Sequence, residues 1–251
     1  MWKALRIRLL GGAGAGWLRR AVGWVAVFVL GASVVILVAG LAYRFVPPVS
    51  TLMLARWATL RPVDRITVPL DAIAPSLAAA VIASEDGRFC SHRGVDWGAL
   101  REVIGDAEDD APSRGASTIA MQTAKNLFLW PGRSYIRKAL ELPIALYVDL
   151  VLGKRRVMEV YLNMAEWGDG IFGAEAAARR HFGKSARNLT AAEAALLAAA
   201  LPNPRLRNAG RPSARHRALA GRLLARMERH PPARACLQPS RSASTGLWAK
   251  D

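Results

Sequence analysis

The sequence is poor in cysteine and in acidic residues. Only two cysteines, Cys90 and Cys236, occur in 251 residues, and their spacing matches no zinc-binding pattern. The sequence therefore predicts no structural metal site, and it leaves the cysteines either as a disulfide in an exported domain or as two unpaired small residues. Acidic residues number 19 against 35 lysines and arginines, which gives a formal net charge of +16. Such an excess of positive charge favours an anionic partner.

The chain also lacks internal repeats and the length for two enzymatic domains. Its 251 residues suffice for one sizeable core and an anchor. Alternating strand patterns are confined to a few residues, whereas helical patterns dominate after Pro75. These features predict an all-α fold with one catalytic domain.

One long uncharged run lies near the amino terminus. Residues 21–43 carry no charge over 23 positions, and a helix of that length exceeds the roughly 30 Å hydrocarbon core of a bilayer. The run is longer than the apolar region of a signal peptide, which favours a transmembrane helix over a cleaved signal. Five basic residues and no acid precede it: Lys3, Arg6, Arg8, Arg19 and Arg20. Since Arg44 alone follows closely, the positive-inside rule predicts a single-pass protein with a cytoplasmic amino terminus.

The part of the chain beyond this leader remains basic. It holds 30 basic and 19 acidic residues, a net charge of +11. A nucleic-acid-binding domain would rarely lie behind a membrane span on its outer side, so we expect no nucleic-acid partner. Anionic lipid headgroups and a pyrophosphate-bearing substrate fit the predicted topology better.

Capping residues and helical patterns indicate where several helices begin and end. Residues 76–84 are helical by composition and deliver Glu85 near a helix end. Ser117 or Thr118 can cap a helix that runs to about Leu129, and helical patterns follow over residues 134–152 and 154–163. Thr190 and Glu193 form a predicted capping box at the start of a later helix.

Four ordered blocks of polar residues carry the candidate chemistry. The first, residues 81–94, sets the adjacent acids Glu85 and Asp86 at the end of an apolar run. The others cover residues 115–129, 133–141 and 156–163. Taken singly, the polar residues of these blocks are also consistent with an ordinary surface stripe and surface ion pairs, and we interpret Glu159 of the last block as structural.

Together the blocks resemble the peptidoglycan glycosyltransferases of family 51, over about residues 69–204. The family pattern Glu-Asp-x-x-Phe-x-x-His-x-Gly is matched by Glu85, Asp86, Phe89, His92 and Gly94. The pattern Gly-Gly-Ser-Thr-Ile-x-Gln-Gln-x-x-Lys-Asn is matched by Gly115, Ser117, Thr118, Ile119, Gln122, Lys125 and Asn126. Two positions depart, because Ala116 replaces a glycine and Met121 replaces the first glutamine. The chain contains no Ser-x-x-Lys motif, which excludes the bifunctional penicillin-binding proteins and favours the monofunctional, membrane-anchored branch.

The resemblance implies a lysozyme-like α domain with two lobes, preceded by one transmembrane helix. It divides the chain into five segments: a cytoplasmic basic leader (1–20), the transmembrane helix (21–43), a periplasmic neck (44–75), the glycosyltransferase domain (76–230) and a flexible tail (231–251). The implied location is the bacterial inner membrane, with the catalytic domain on the periplasmic side.

The implied reaction polymerises lipid II into linear β-1,4-linked glycan, with inversion and with release of undecaprenyl pyrophosphate. The resemblance assigns Glu85 as the general base and Glu141 as a second essential acid. The substrate-binding residues that it implies are Ser117, Gln122, Lys125, Asn126, Arg133, Arg137 and Lys138.

The expected partners are lipid II, the growing glycan chain and the membrane, and other proteins of cell-wall synthesis or division are left open. No cofactor is required by the sequence. A divalent cation, Mg²⁺ or Mn²⁺, at the pyrophosphate is left open, because Glu141 could either position the basic residues or help to hold such an ion. The alternative functions are a lysozyme-like lytic muramidase and a non-enzymatic membrane scaffold of cell-wall assembly.

Overall fold

The structure of the protein, a computed structural model, describes residues 13–108, 115–132, 134–232 and 234–238. The chain divides into two compact units, one ending at Ala42 and the other beginning at Tyr43. In chain order the helices and strands are α1 (Ala13–Ala42), α2 (Thr51–Ala58), β1 (Asp64–Arg65), α3 (Pro75–Glu85), α4 (Trp97–Glu108), α5 (Ile119–Phe128), α6 (Tyr135–Met164), β2 (Glu166–Gly168), β3 (Ile171–Phe172), α7 (Ala174–Phe182), α8 (Ala191–Ala200) and α9 (Ala214–Arg229). Short 3₁₀ turns cover residues 70–72, 186–188 and 235–237. The predicted α fold is confirmed.

The first unit contains helix α1. Its stretch Arg19–Ala42 has 24 residues and a mean hydropathy of 2.8, and it is the one helix among the described residues that is long and apolar enough to cross a membrane. Large apolar side chains such as Trp24 and Phe28 are exposed along it. This agrees with the transmembrane helix predicted from the uncharged run, although the helix begins earlier, at Ala13.

Helices α5 and α6 begin where the capping signals predict. Thr118 caps α5 by accepting a hydrogen bond from the backbone of Met121, and Ser134 caps α6 in the same way. Gly153 interrupts α6 with φ 71° and ψ 160°, a left-handed backbone conformation that favours glycine. The break separates the two helical stretches, 134–152 and 154–163, that the sequence predicts.

A three-stranded sheet joins the segment before α3 to the glycine-rich turn after α6. Strand β1 pairs in parallel with β3, and β2 pairs with β3 in antiparallel fashion. Arg56 of α2 reaches the turn between β2 and β3 and donates to Asp169 at 2.8 Å. Gly170 has φ 75°, and a Cβ there would lie 2.9 Å from the backbone carbonyl oxygen of Pro62, so a glycine is favoured there. The segment preceding α3 is therefore packed against the body of the second unit.

Helices α3, α8 and α9 form the core beside the first acid. The side chains of Leu77, Val81 and Ile82 on α3 have no solvent exposure. Alanines on α3 and α8 let these helices approach closely, because a methyl group fills little space. The predicted capping box at the start of α8 is confirmed. Helix α3 ends at Glu85, which places this acid where the buried core meets the surface.

A disulfide joins Cys90 and Cys236, with the two Cα atoms 5.6 Å apart. The alternative of two unpaired cysteines is therefore wrong. The bond connects the loop that follows Glu85 to the 3₁₀ turn at residues 235–237. Residues 234–238 of the predicted tail are thus covalently attached to the body of the second unit.

Candidate functional site

Glu85 is held by a chain of hydrogen bonds that starts in the core. The Gln122 amide Nε2 donates to Glu85 Oε2 at 3.0 Å. The hydroxyl of Tyr161 donates to Gln122 Oε1 at 3.1 Å, and Tyr161 is 1% exposed. Burial, together with the nearby charges of Glu85 and Asp86, raises the pKa of Tyr161 well above its ordinary value, so its hydroxyl stays protonated as a donor. The Glu85 carboxylate is therefore fixed in orientation at the end of α3.

Burial also raises the pKa of Glu85. The hydrogen bonds from Gln122 and Ser84 and the charge of Lys125 oppose this rise, and the charge of Asp86 adds to it. A carboxylate with a raised pKa is a stronger base than an exposed one. The environment of Glu85 thus favours its use as a proton acceptor.

Asp86, next to Glu85, binds the surrounding loops. Its Oδ2 accepts a hydrogen bond from the backbone N–H of Ile119 at 3.0 Å, and its Oδ1 lies 2.9 Å from His92 Nε2. Thr118 donates to the backbone carbonyl of Gly94 at 2.5 Å in the same region. Gly94 has φ 71°, and a Cβ there would lie 2.6 Å from the carbonyl oxygen of Ala145. Asp86 and His92 therefore hold the loop after α3 against the start of α5.

A cluster of three cations, Lys125, Arg137 and Lys138, lies around the second acid, Glu141. Glu141 is 3% exposed and accepts hydrogen bonds from Arg137 and, at 3.0 Å, from Lys138. Lys138 also donates to the hydroxyl of Ser117. Arg137, Lys138 and Glu141 all lie on helix α6. Glu141 follows Lys138 by three residues and Arg137 by four, so its carboxylate shares a helix face with both cations.

The three cations of this cluster outnumber the two acids near them, Glu141 and Glu85. Burial lowers the pKa of Lys138 to about 8, and the charges of Arg137 and Lys125 act in the same direction. Burial and the charge of Arg137 also lower the pKa of Lys125, against the opposing effect of Glu85. Crowded cations that share too few acids favour a polyanionic ligand, which would relieve their mutual repulsion.

Glu85 lines two cavities at once. The first has a volume of about 510 Å³ and lies between the end of α3, the loop at Asp96 and residues 115–118. The second has a volume of about 960 Å³ and lies between Ser84, α8 and the basic side chains of α9, among them Arg222 and Arg226. The Glu85 carboxylate can therefore be approached from both cavities, which leaves room for two bulky substrates.

The structure brings most of the predicted site residues together. Ser117, Gln122, Lys125, Arg137 and Lys138 lie between the two acids, through the contacts described above. Asn126 contacts the segment before α3, because its backbone carbonyl accepts a hydrogen bond from Thr51 at 3.2 Å. Arg133 lies outside the described residues.

Tyr161 is the residue of this site that the sequence reasoning missed. Its signal was its position in the fourth block, two residues after Glu159. Glu159 itself accepts from the backbone N–H of Leu70 at 2.9 Å and pairs with Arg156, which agrees with its structural interpretation. Over the described ranges, no group of three or more histidines, cysteines or acids is placed to hold a metal ion.

Comparisons with known proteins agree with this geometry. The sequence profile of the transglycosylase family matches residues 53–228. The curated relatives named below are each called a biosynthetic peptidoglycan transglycosylase. The relative from Rhodopseudomonas palustris (strain TIE-1) is 58% identical over 180 residues, 71% of this chain and 76% of the relative. The relative from Brucella suis biovar 1 (strain 1330) is 55% identical over 194 residues, 77% of this chain and 87% of the relative.

A further relative, from Nitrobacter hamburgensis, is 51% identical over 210 residues, 83% of this chain and 93% of the relative. The matched range includes Glu85, Gln122, Glu141 and Tyr161, so it spans the whole hydrogen-bonded site. The chain therefore belongs to the transglycosylase family, within the branch of monofunctional peptidoglycan transglycosylases.

Proposed function

We propose that this chain polymerises lipid II into linear β-1,4-linked glycan strands of peptidoglycan and releases undecaprenyl pyrophosphate. The observation that carries the proposal is the placement of one oriented carboxylate, Glu85, between two cavities and beside an unbalanced cation cluster. Glycosyl transfer from a pyrophosphate-linked sugar needs these three elements: a base, room for two substrates and positive charge at the leaving group.

Glu85 is the general base of the proposed reaction. Its carboxylate takes the proton of the 4-hydroxyl of the acceptor lipid II as that oxygen bonds to the anomeric carbon of the growing chain. The bond from this carbon to the pyrophosphate breaks on the opposite face, so an α-linked donor gives a β-1,4 linkage by inversion. A well-placed general base contributes roughly 10²- to 10⁴-fold to the rate.

The cation cluster holds the pyrophosphate of the donor. Lys125 and Lys138 supply compact charges and Arg137 a planar fork of N–H donors, with Arg133 expected to add a further charge. These charges act more strongly on the departing pyrophosphate than on the bound donor, because negative charge builds up as the bond breaks. Ser117, Gln122 and Asn126 complete the proposed set of substrate-binding residues.

Glu141 acts as a positioning residue for these cations. Both of its oxygens already accept hydrogen bonds, one from Arg137 and one from Lys138. This favours a positioning role over the holding of a divalent ion. The proposed reaction requires no cofactor, and a Mg²⁺ or Mn²⁺ ion bound to the pyrophosphate would add to the same positive charge.

The proposed location is the inner membrane, with the second unit on the periplasmic side. Five basic residues precede the uncharged run of residues 21–43 and only Arg44 follows it closely, which supports this orientation. A reporter that is active only in the cytoplasm, fused after Asp251, should stay silent, whereas one active only in the periplasm should give signal. Activity of the cytoplasmic reporter would contradict the orientation.

Purified protein with labelled lipid II tests the reaction directly. Glycan strands should grow and undecaprenyl pyrophosphate should appear, while cleavage of existing strands without growth would indicate a lytic muramidase. Glu85→Gln keeps the size of the side chain but cannot accept a proton, so it should still bind lipid II and lose at least about 10²-fold in rate. Retention of more than roughly a tenth of the rate would contradict the role of Glu85.

A further inference from the structure

A separate cavity lies at the other end of α3, away from the catalytic carboxylate. It has a volume of about 710 Å³ and lies between Pro75 and Ala78 of α3, Arg155 of α6, Arg187 and the segment at residues 234–238. At about 1.5 Å per residue, the rise along α3 puts Pro75, at its first position, roughly 15 Å from Glu85 at its last. The cavity shares no lining residue with the two that contact Glu85.

The rim of this cavity carries three arginines and one acid. Arg155 donates to Asp71 at 2.6 Å and to the backbone carbonyl of Leu237 at 2.8 Å, so it is already engaged. Arg187 and Arg234 are exposed. Arg234 donates to the backbone carbonyl of Pro75 at 3.4 Å, and neither arginine forms an ion pair with a carboxylate among the described residues. Two guanidinium groups therefore face the cavity with their charge uncompensated.

The floor of the same cavity is apolar. Leu70, Ile73 and Ala78 line it, and each is buried. A concave site of several hundred cubic ångströms with an apolar floor and a few convergent polar groups is the usual form of a binding site for a small ligand. The ligand that matches this lining has an anionic group beside a small apolar group.

We infer that this cavity binds a short acidic peptide. Its carboxylate would pair with Arg187 and Arg234, its amide N–H groups would find Asp71 as an acceptor, and its apolar side chains would pack on Leu70 and Ile73. A phosphate group fits less well, because it has no apolar part for the floor and its negative charge would lie beside the Asp71 carboxylate. The source of such a peptide is the peptide part of peptidoglycan, an identification that rests on the proposed function.

The disulfide makes this site dependent on oxidation. Residues 234–238 form one wall of the cavity, and Cys236 within them is bonded to Cys90. Cys90 lies in the loop whose Asp86 borders the catalytic cleft. A peptide bound against this wall would therefore contact the segment that is tied to the catalytic loop.

Fluorescence anisotropy with a fluorescein-labelled Ala-Glu-Ala-Ala peptide tests the inference on the full-length oxidised protein. The peptide should bind, and the same peptide with Gln in place of Glu and an amidated end should bind at least about tenfold more weakly. Arg187→Glu should weaken binding at least about tenfold, whereas the control Arg215→Glu, an equal charge change on α9 outside the cavity, should leave it unchanged. The double variant Cys90→Ser with Cys236→Ser should also bind more weakly.

Three results would overturn the inference: no binding of the acidic peptide to the wild-type protein, equal binding by the Arg187 and Arg215 variants, or displacement of the peptide by inorganic phosphate at matching concentration. Thermal unfolding of each variant identifies any loss of binding that comes from unfolding. The binding assay needs no turnover, and Glu85→Gln should bind the peptide normally. Failure of the proposed polymerisation would therefore not produce the same result as failure of the peptide site.

Discussion

Glu85 and Glu141 are both carboxylates at the edge of the same site, but their neighbours differ in charge. Glu85 receives a hydrogen bond from a neutral side chain, Gln122, and burial raises its pKa. Glu141 is more deeply buried and is bonded to two cations, Arg137 and Lys138. A carboxylate among neutral donors can take up a proton, whereas one that balances buried cations must keep its charge. The comparison assigns proton transfer to the region of Glu85 and charge placement to the region of Glu141.

Replacement of Glu141 should show most clearly that the two acids have different roles. Glu141→Gln leaves the buried Arg137 without its counter-charge. The free energy of unfolding should therefore fall by about 3–5 kcal/mol, the usual cost of breaking a buried ion pair. The polymerisation rate should fall roughly 10-fold through misplaced cations, and the thermal midpoint should fall as well. Glu85→Gln should instead lose more rate with little change in unfolding, and an unchanged thermal midpoint in Glu141→Gln would contradict the difference.

The pH dependence of the rate sharpens the same comparison. Glu85 must be ionised to act as a base, so the rate should fall as the pH drops through its raised pKa. Lys138 must be protonated to hold the pyrophosphate, so the rate should fall again as the pH rises through about 8. One unit above that pKa, about a tenth of Lys138 keeps its charge.

A matched variant identifies the alkaline limb of this profile. Lys138→Arg keeps a positive charge throughout this pH range, because a guanidinium does not lose its proton there. The alkaline limb should therefore move to higher pH in this variant, while the acid limb stays in place. A profile of initial rates in which both limbs coincide with those of the wild type would rule out Lys138 as the titrating group.

The smallest effect on rate is expected at Met121, which replaces the first glutamine of the family pattern given above. Met121 has no solvent exposure, so its side chain packs in the core rather than in the cleft. Met121→Gln should change polymerisation little but lower the free energy of unfolding by about 1–3 kcal/mol, because a buried amide would lack partners. Met121→Leu, a volume-conserving control, should cost less than about 1.5 kcal/mol. A loss of activity without a loss of stability would contradict this assignment to the core.

Local signals in the sequence predicted the helices that carry the site. Thr118 acts as a cap within one turn of chain, so the start of α5 could be derived from it, and the helical patterns over residues 134–152 and 154–163 predicted the two halves of α6. The parallel pairing of Asp64 with Ile171 could not be derived from the sequence. Each strand is only two or three residues long, and its partner is distant in the chain.

The contacts that orient the acids could not be predicted from the sequence either, because they too join residues that are distant in the chain. The sequence contains Gln122 and Tyr161, but the bond between their side chains joins two helices. The sequence likewise contains two cysteines, but it does not give the distance between them. Only the structure shows that Cys90 and Cys236 lie close enough to form the disulfide. Asp86 could be read from the sequence as a partner of Glu85 or of the loop, and its bonds to His92 and Ile119 select the loop.

The bond from Tyr161 to Gln122 has a stereochemical consequence for the base. Because Gln122 Oε1 accepts the protonated hydroxyl of Tyr161, its amide cannot rotate by half a turn without losing that bond. The N–H of the amide therefore always faces Glu85 Oε2 and occupies that oxygen. In the proposed reaction, the proton of the acceptor hydroxyl would therefore go to Oε1, and the amide would select which of two chemically equivalent oxygens reacts.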